Sequence, residues 1–153
     1  MSQRSAAHLQ RSVIHLLRRV DQCATQLYST ETADSDLTLR QLAILTAISR
    51  QENLSQTDLV SITGIDRSTV AGIVSRLIRK GLLERKRSPL DGRAYCVRLS
   101  KRGAKVIAGA DRLYSRVEKK LLAGVPAAEA IQFVSTLKAI LSVHTDEQSG
   151  APA

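Results

Sequence analysis

The sequence has little of what a disulfide scaffold, a secreted domain or a membrane span requires. Its 153 residues include two cysteines (Cys23 and Cys96), three prolines, three tyrosines, one phenylalanine and no tryptophan. Two cysteines without a CxxC spacing make neither a disulfide framework nor a zinc knuckle, so a reducing, cytoplasmic setting is expected. So few aromatic rings argue against the stacking platforms that hold single-stranded nucleic acid. No apolar run approaches the roughly 18 residues a bilayer demands, and no membrane association is expected. Met1 to His8 lacks an apolar h-region, so secretion is not expected either. There is no Gly-rich phosphate loop, GxSxG, HExxH or pair of acids in an apolar setting, so no enzymatic activity and no catalytic residues are expected. His8 and His15 are too far apart for an i, i+4 metal pair and His144 is isolated; no metal site and no cofactor are foreseen.

What is present is positive charge, concentrated in one place. Lys and Arg number 23 against 14 Asp and Glu, a formal net charge of +9. Residues 1–54 and 103–153 each carry six basic and five acidic side chains, whereas residues 55–102 carry eleven and four. A block this asymmetric is the electrostatic footprint of a polyanion binder. At 43% apolar residues the chain has enough to build a core around it.

Periodicity supplies the elements. Leu9, Val13, Leu16, Leu17, Val20, Cys23, Ala24 and Leu27 form one apolar stripe on a helix from about His8 to Tyr28. Ser29 to Asp36 is polar and reads as a loop. Thr38 caps a second helix with Leu42, Leu45 and Ile48 inward. Ser55 and Asp58 form a capping box for a short helix carrying Leu59, Val60 and Ile62, which ends at Gly64. Asp66 caps the next helix; Val70, Ile73, Val74, Leu77 and Ile78 face inward, Arg67, Ser68, Thr69, Gly72, Ser75, Arg76 and Arg79 face outward, and Gly81 closes it. Two short strands follow, Leu82 to Arg87 and Ala94 to Leu99, with Tyr95, Val97 and Leu99 expected on the buried face and Ala94, Cys96 and Arg98 on the other. Pro89 and Asp91-Gly92 supply turn chemistry between them. Ser100 is read as the cap of one long helix to about Leu122. Pro126 is read as the first residue of a last helix, which carries Ile131, Val134, Leu137 and Leu141 to about His144. Asp146 to Ala153 is polar.

Helix, glycine turn, helix and a β-ribbon with a basic tip, in that order, describe a winged helix-turn-helix within a mainly α fold. A helix whose outer face is short, polar and basic can lie in the major groove, about 12 Å wide. Ser68, Thr69, Gly72 and Ser75 are short enough to allow close approach, and Arg67, Arg76 and Arg79 can reach phosphates or guanine edges. Arg87 adds charge to the ribbon. Arg93 at its tip suits a narrow minor groove, with Asp91 placed to orient the guanidinium.

Asp66-Arg67-Ser68-Thr69-Val70, Leu77-Ile78-Arg79-Lys80-Gly81-Leu82-Leu83-Glu84-Arg85, Asp91-Gly92-Arg93-Ala94 and Leu99-Ser100-Lys101-Arg102-Gly103 together resemble the MarR (multiple antibiotic resistance regulator) family. The resemblance implies a bacterial homodimeric transcription factor in which the first and last helices interlock. Each protomer would offer a winged module to a pseudo-palindromic operator in double-stranded DNA. Mapped by motif, it implies DNA contacts from Arg67, Ser68, Thr69, Ser75 and Arg76 and, on the wing, from Arg93 with Asp91. The division it suggests is a helical dimerisation region (1–36 and 104–145), a winged module (37–103) and a flexible tail (146–153). The residues favour a dimer independently, since the terminal helices carry long apolar stripes that the small winged core cannot cover. Two-fold pairing would set the reading helices about 34 Å apart, one turn of DNA.

Repression relieved by a small-molecule effector is the mode the resemblance implies, with aromatic acids or their coenzyme A thioesters as the class. His15, Arg19, Tyr28 and Arg40 are polar groups near the junction where such an effector would sit. Cys23 lies on the apolar stripe and is expected to pack in the core; the competing reading is a thiol-based, peroxide-sensing repressor. Cys96 is expected to be incidental. A DNA-structuring protein without sequence choice is the other alternative.

Overall fold

Capping chemistry sets most of the helix boundaries. The computed structural model describes residues 8–33, 36–87 and 95–149. Helix α1 is Val13–Glu31, α2 Leu39–Arg50, α3 Gln56–Thr63 and α4 Arg67–Arg79; strands β1 (Leu83–Arg87) and β2 (Tyr95–Leu99) follow, then α5 (Lys101–Ile107), α6 (Ala110–Leu121) and α7 (Ala127–Ser149). The fold is mostly helical with a single two-stranded antiparallel sheet, in register from Leu83 opposite Leu99 to Arg87 opposite Tyr95. It is a winged helix-turn-helix carrying extra helices. No helix among the described residues is long and apolar enough to cross a membrane.

The caps at Thr38, Ser55, Asp66 and Ser100 are those the sequence predicts. Thr38 gains a reciprocal partner: its hydroxyl accepts from the Gln41 amide (3.2 Å), while the Gln41 side chain accepts from the Thr38 amide (3.0 Å). Gly64 takes the left-handed conformation, φ 66°, that closes α3. Gly103 answers to a different demand. A Cβ there would lie 2.1 Å from the Leu82 carbonyl oxygen, so α5 reaches the end of the winged module only because position 103 has no side chain.

Several boundaries differ from expectation. The first helix is interrupted at Ser12, whose hydroxyl caps α1 through the His15 amide (3.4 Å), leaving residues 8–11 as a separate helical turn. At its other end α1 continues through Ser29, Thr30 and Glu31, which the polarity of that stretch marks as loop. The Thr30 and Thr32 hydroxyls donate back to the carbonyls of Gln26 (3.0 Å) and Tyr28 (2.7 Å), so polar side chains serve the helix there. The long helix expected from Ser100 to Leu122 is broken at Ala108–Gly109, where Gly109 caps α6 with φ −99° and ψ 0°. Glycine in a helix interior is costly relative to alanine, and this one marks the break. The Pro126 carbonyl accepts from the Ala130 amide, so Pro126 precedes the last helix instead of opening it. That helix runs to Ser149, past the expected end at His144 and through the first residues of the predicted flexible tail. Residues 150–153 lie outside the described residues.

The ribbon's facing is also corrected. Val97 is buried as predicted, but Cys96 is buried and Tyr95 is exposed. Leu54 forms a bridge to β2 on the edge away from β1, with the Val97 amide donating to the Leu54 carbonyl (3.0 Å). This brings Asn53, the one non-glycine described at positive φ, over the second face. The Cys96 sulfur rests 3.7 Å from Asn53 Oδ1 and 3.5 Å from the Lys86 carbonyl oxygen. Tyr95 stands further out along the ribbon, beyond this cover. Ala94 lies outside the described residues.

Two cores result. Ile44, Leu45, Leu54, Leu59, Val70, Val74, Leu77 and Leu83 are the fully buried centre of the winged module. A smaller cluster joins Tyr28 and Leu42 to Ala110 and Val117, with Leu27, Leu113 and Tyr114 around it; Ile107 packs against both clusters. Only the carboxyl-terminal half of the α1 stripe takes part. Val13, Leu16, Leu17 and Val20, on the same face, remain exposed, as do Ile131, Val134 and Ile140 on α7.

Candidate functional site

Helix α4 presents two chemically distinct faces. Val70, Ile73, Val74 and Leu77 are buried beneath it, whereas Arg67, Ser68, Gly72, Ser75, Arg76 and Arg79 are exposed and Thr69 is half-buried. Asp66 fixes the helix start. Its Oδ1 accepts from the Thr69 amide (2.9 Å) and the Ser68 hydroxyl (2.7 Å), and these bonds, with the Thr69 hydroxyl foremost, hold the carboxyl well below the usual carboxylate range. The Ser68 hydroxyl therefore donates inward and keeps its lone pairs for a partner outside. Arg67 donates from Nη2 to Thr57 Oγ1 on α3 (2.9 Å), so the first helix of the motif braces α4 through a side chain. Nothing local in the sequence signals this pairing, because the two residues are ten apart and on different helices.

Gly72 lies at the middle of the exposed face, and a Cβ built on it would meet only the tip of Arg76, at 3.9 Å. Packing within the chain therefore does not explain a glycine here. The rest of the basic block divides in two. Arg98 is bound to Glu84 directly across the ribbon, through Nε (3.0 Å) and Nη2 (2.8 Å); Lys80 donates to the Asp36 carbonyl (2.9 Å) and Arg102 to that of Lys80 (3.2 Å). Arg79, Arg85 and Lys86 face solvent, and Arg87 ends β1 on the exposed side. Asp91 and Arg93 lie outside the described residues.

The residues expected at the effector junction are not brought together. Of His15, Arg19, Tyr28 and Arg40, only Tyr28 lines a cavity among those described; His15 is half-buried near the start of α1, and Arg19 and Arg40 are exposed. That cavity, about 480 Å³, lies where the end of α1 meets the α5–α6 break. Leu37, Leu42, Val106 and Leu113 give it apolar walls, and Arg116 contributes a cation. Burial pushes the Tyr28 phenol up, so it stays neutral at physiological pH. Glu31 at the rim pairs with Arg116 Nε (3.1 Å) and with Lys120 Nζ. The Lys120 bond, first, and the two cationic charges hold the Glu31 carboxyl below its ordinary value. Sequence reading missed this triad because Glu31 lies 85 or more residues from both cations along the chain, with no local pattern joining them.

Cys23 is exposed on the described chain, contrary to the expectation that it packs in the core. It sits at the margin of the α1 stripe, where the helix has run past the intramolecular cover. No group of three or more His, Cys, Asp or Glu among the described residues is placed to hold a metal ion.

A helix-turn-helix braced by a third helix and continued into an antiparallel ribbon defines a winged-helix transcriptional regulator. The chain belongs to the MarR family, whose model matches residues 35–94. The HTH-type transcriptional repressor NicR of Pseudomonas putida is 27% identical over 136 residues, 89% of this chain and 85% of that protein. Among solved structures, BpsR of Bordetella bronchiseptica, whose DNA binding is regulated by 6-hydroxynicotinic acid, is 29% identical with a TM-score of 0.78, covering 93% of this chain and 96% of its own. The PcaV transcriptional regulator of Streptomyces coelicolor, solved with its natural ligand, is 33% identical with a TM-score of 0.79, covering 88% and 94%.

Proposed function

We propose that the protein is a homodimeric repressor that binds a pseudo-palindromic operator in double-stranded DNA through α4 and is released by a small aromatic acid or its coenzyme A thioester. The observation that carries this reading is the outer face of α4: short side chains and a bare Gly72 flanked by Arg67, Arg76 and Arg79, on a helix fixed from below by four buried apolar residues. A face so built admits the floor of the major groove and places cations at its walls. Ser68, Thr69 and Ser75 read base edges at close range; Arg67, held by Thr57, addresses a phosphate or guanine beside them. Arg87 and Arg93, with Asp91 orienting Arg93, extend the contact into the minor groove.

The dimer is supported by the uncovered halves of α1 and α7. Val13 is 64% and Ile131 72% exposed on a protomer whose winged module has a fully buried apolar centre. A second copy supplies the apolar partner these faces lack and aligns two winged modules along one duplex. Regulation by an aromatic acid is supported by the relative BpsR and its 6-hydroxynicotinic acid.

Fluorescence anisotropy with DNA from upstream of the protein's own gene tests the reading. Preference for that DNA over random duplex by about 10³ or more at physiological salt is expected, whereas a DNA-structuring protein shows no such ratio. Arg93→Ala should weaken binding to all sequences and flatten the salt slope by about one unit, since it removes electrostatic contact. Unchanged binding at every salt concentration would remove the wing from the account. The exposure of Cys23 favours the thiol-switch alternative, which predicts that Cys23→Ser abolishes any loss of DNA binding on peroxide treatment.

A further inference from the structure

We infer that α4 reads its operator through a fixed pairing of acceptor and donor. Ser68 accepts from the exocyclic amino group of an adenine or cytosine, and Arg76, folded across Gly72, donates to N7 and O6 of a guanine. The inference rests on the proposed role of α4 as the groove helix and deepens it by naming the bases. Two independent observations carry it. The first is the direction of the Ser68 hydroxyl. Its proton points to Asp66 Oδ1 (2.7 Å), and that carboxylate, ionised and with no proton to return, also accepts from the Thr69 amide (2.9 Å). A free serine donates or accepts as required, so it distinguishes bases poorly. Bound to Asp66 it offers lone pairs alone. The amino groups of adenine and cytosine satisfy these, whereas the carbonyl oxygens of guanine and thymine set lone pair against lone pair.

The second is the path of Arg76. A Cβ built on Gly72 would lie 3.9 Å from Arg76 Nη2, so the guanidinium lies back over the preceding turn, above the one exposed position of α4 that has no side chain. The Arg76 side chain makes no hydrogen bond or ion pair among the described residues, which leaves its whole fork for a ligand. Arg67 differs, because its Nη2 is committed to Thr57 Oγ1 (2.9 Å). So held, it suits a phosphate contact, which sets register and carries no sequence information. The two readers lie close together. Ser68 and Gly72 are one turn apart, about 6 Å along the helix axis, which spans about two base-pair steps. Extended outward from its own turn, Arg76 would reach about twice as far from Ser68.

Selection of duplexes by the full chain from a randomised library tests this, followed by fluorescence anisotropy on single duplexes. Wild type should select half-sites that hold the guanine and, about two base pairs from it, an adenine or cytosine, with guanine and thymine disfavoured there at least about fivefold. Arg76→Gln should turn the guanine preference to adenine, whose N6 and N7 match a side-chain amide, an exchange that loss of structure does not produce. Replacing that guanine by 7-deazaguanine, in which a carbon stands for N7, should weaken wild type about tenfold and Arg76→Ala less than about twofold. Ser68→Ala should reduce the exclusion of guanine and thymine to less than about twofold. Asp66→Ala, which lets the hydroxyl turn outward and donate, should do the same, whereas Asp66→Asn keeps an accepting oxygen and should keep the exclusion. Each result is a ratio between two duplexes on one protein, so a fall in the folded fraction cancels. Thr57→Val and Arg79→Ala should weaken all duplexes alike. The inference is overturned if Arg76→Ala keeps the guanine preference, if Arg79→Ala loses it instead, or if Ser68→Ala changes the preference at no position. A wild type that selects a consensus in any of these cases leaves the regulator reading standing. Selection that returns no consensus for wild type overturns both.

Discussion

Helix α4 is amphipathic and leaves one face uncovered, whereas α7 is exposed along nearly all of its described length, and what the two expose differs in kind. On α4 the exposed face carries arginines, hydroxyls and a glycine over a fully buried underside. On α7 the exposed residues include Ile131, Phe133, Val134, Ile140 and Leu141, with little beneath them in the same chain. What a helix leaves open indicates its partner: a cationic face with short side chains suits a polyanion, and an aliphatic one suits another aliphatic surface. Helix α1 shows the second case within one element. Its stripe packs on α6 at Leu27 and Tyr28 and continues uncovered through Val20, Leu17 and Val13.

The sharpest way to break this contrast is to damage the closed module and the open arms separately. Leu77→Ala removes a fully buried side chain from under α4 and should cost about 3 kcal/mol in urea unfolding, with operator binding lost alongside the fold. Gly103→Ala should cost about as much, because the added methyl meets the Leu82 carbonyl and the backbone must move. A charged residue on the arms should behave in the opposite way. Ile131→Lys is expected to leave local stability within about 0.5 kcal/mol but to raise the dimer dissociation constant at least about tenfold, about 1.4 kcal/mol, by sedimentation velocity. If Ile131→Lys dimerises as wild type does, the α7 face has another role.

Smaller effects sharpen the account of α4. Gly72→Leu has open space to occupy and replaces a poor helix former, so the fold should gain up to about 1 kcal/mol. Operator affinity should nevertheless fall about tenfold or more, since a side chain there holds the helix off the groove floor. Last, Asp66 has a lowered folded pKa, so it contributes stability above its unfolded value, about 3.9, and loses it as pH falls through the folded one. Asp66→Asn, which retains capping ability, should therefore flatten the acid limb of the stability curve below about pH 4. An acid limb identical to wild type would remove Asp66 from the linkage.

The winged module was largely legible because its signals are local. Four side-chain caps, the inner face of α4 and the turn at Gly64 each follow from residues a few positions apart. What was not legible depends on residues distant in sequence. Cys96 is buried because Leu54 and Asn53 close over β2, a tertiary cover that strand alternation does not encode. Thr57 supports Arg67 from a neighbouring helix. The ion pairs of Glu31 with Arg116 and Lys120 join the end of α1 to α6, a pairing no local pattern encodes. The break at Gly109 was misread because the apolar spacing continues smoothly across it.

Gly103 has a consequence for inheritance. Every missense change at its codon, whichever base is hit, installs at least one carbon where the Leu82 oxygen already lies. Spontaneous mutants selected for lost control of the target genes should therefore accumulate at this codon as readily as in the reading helix. Such alleles would be recessive failures of assembly, while the surface proposed to meet the operator stays wild type in sequence.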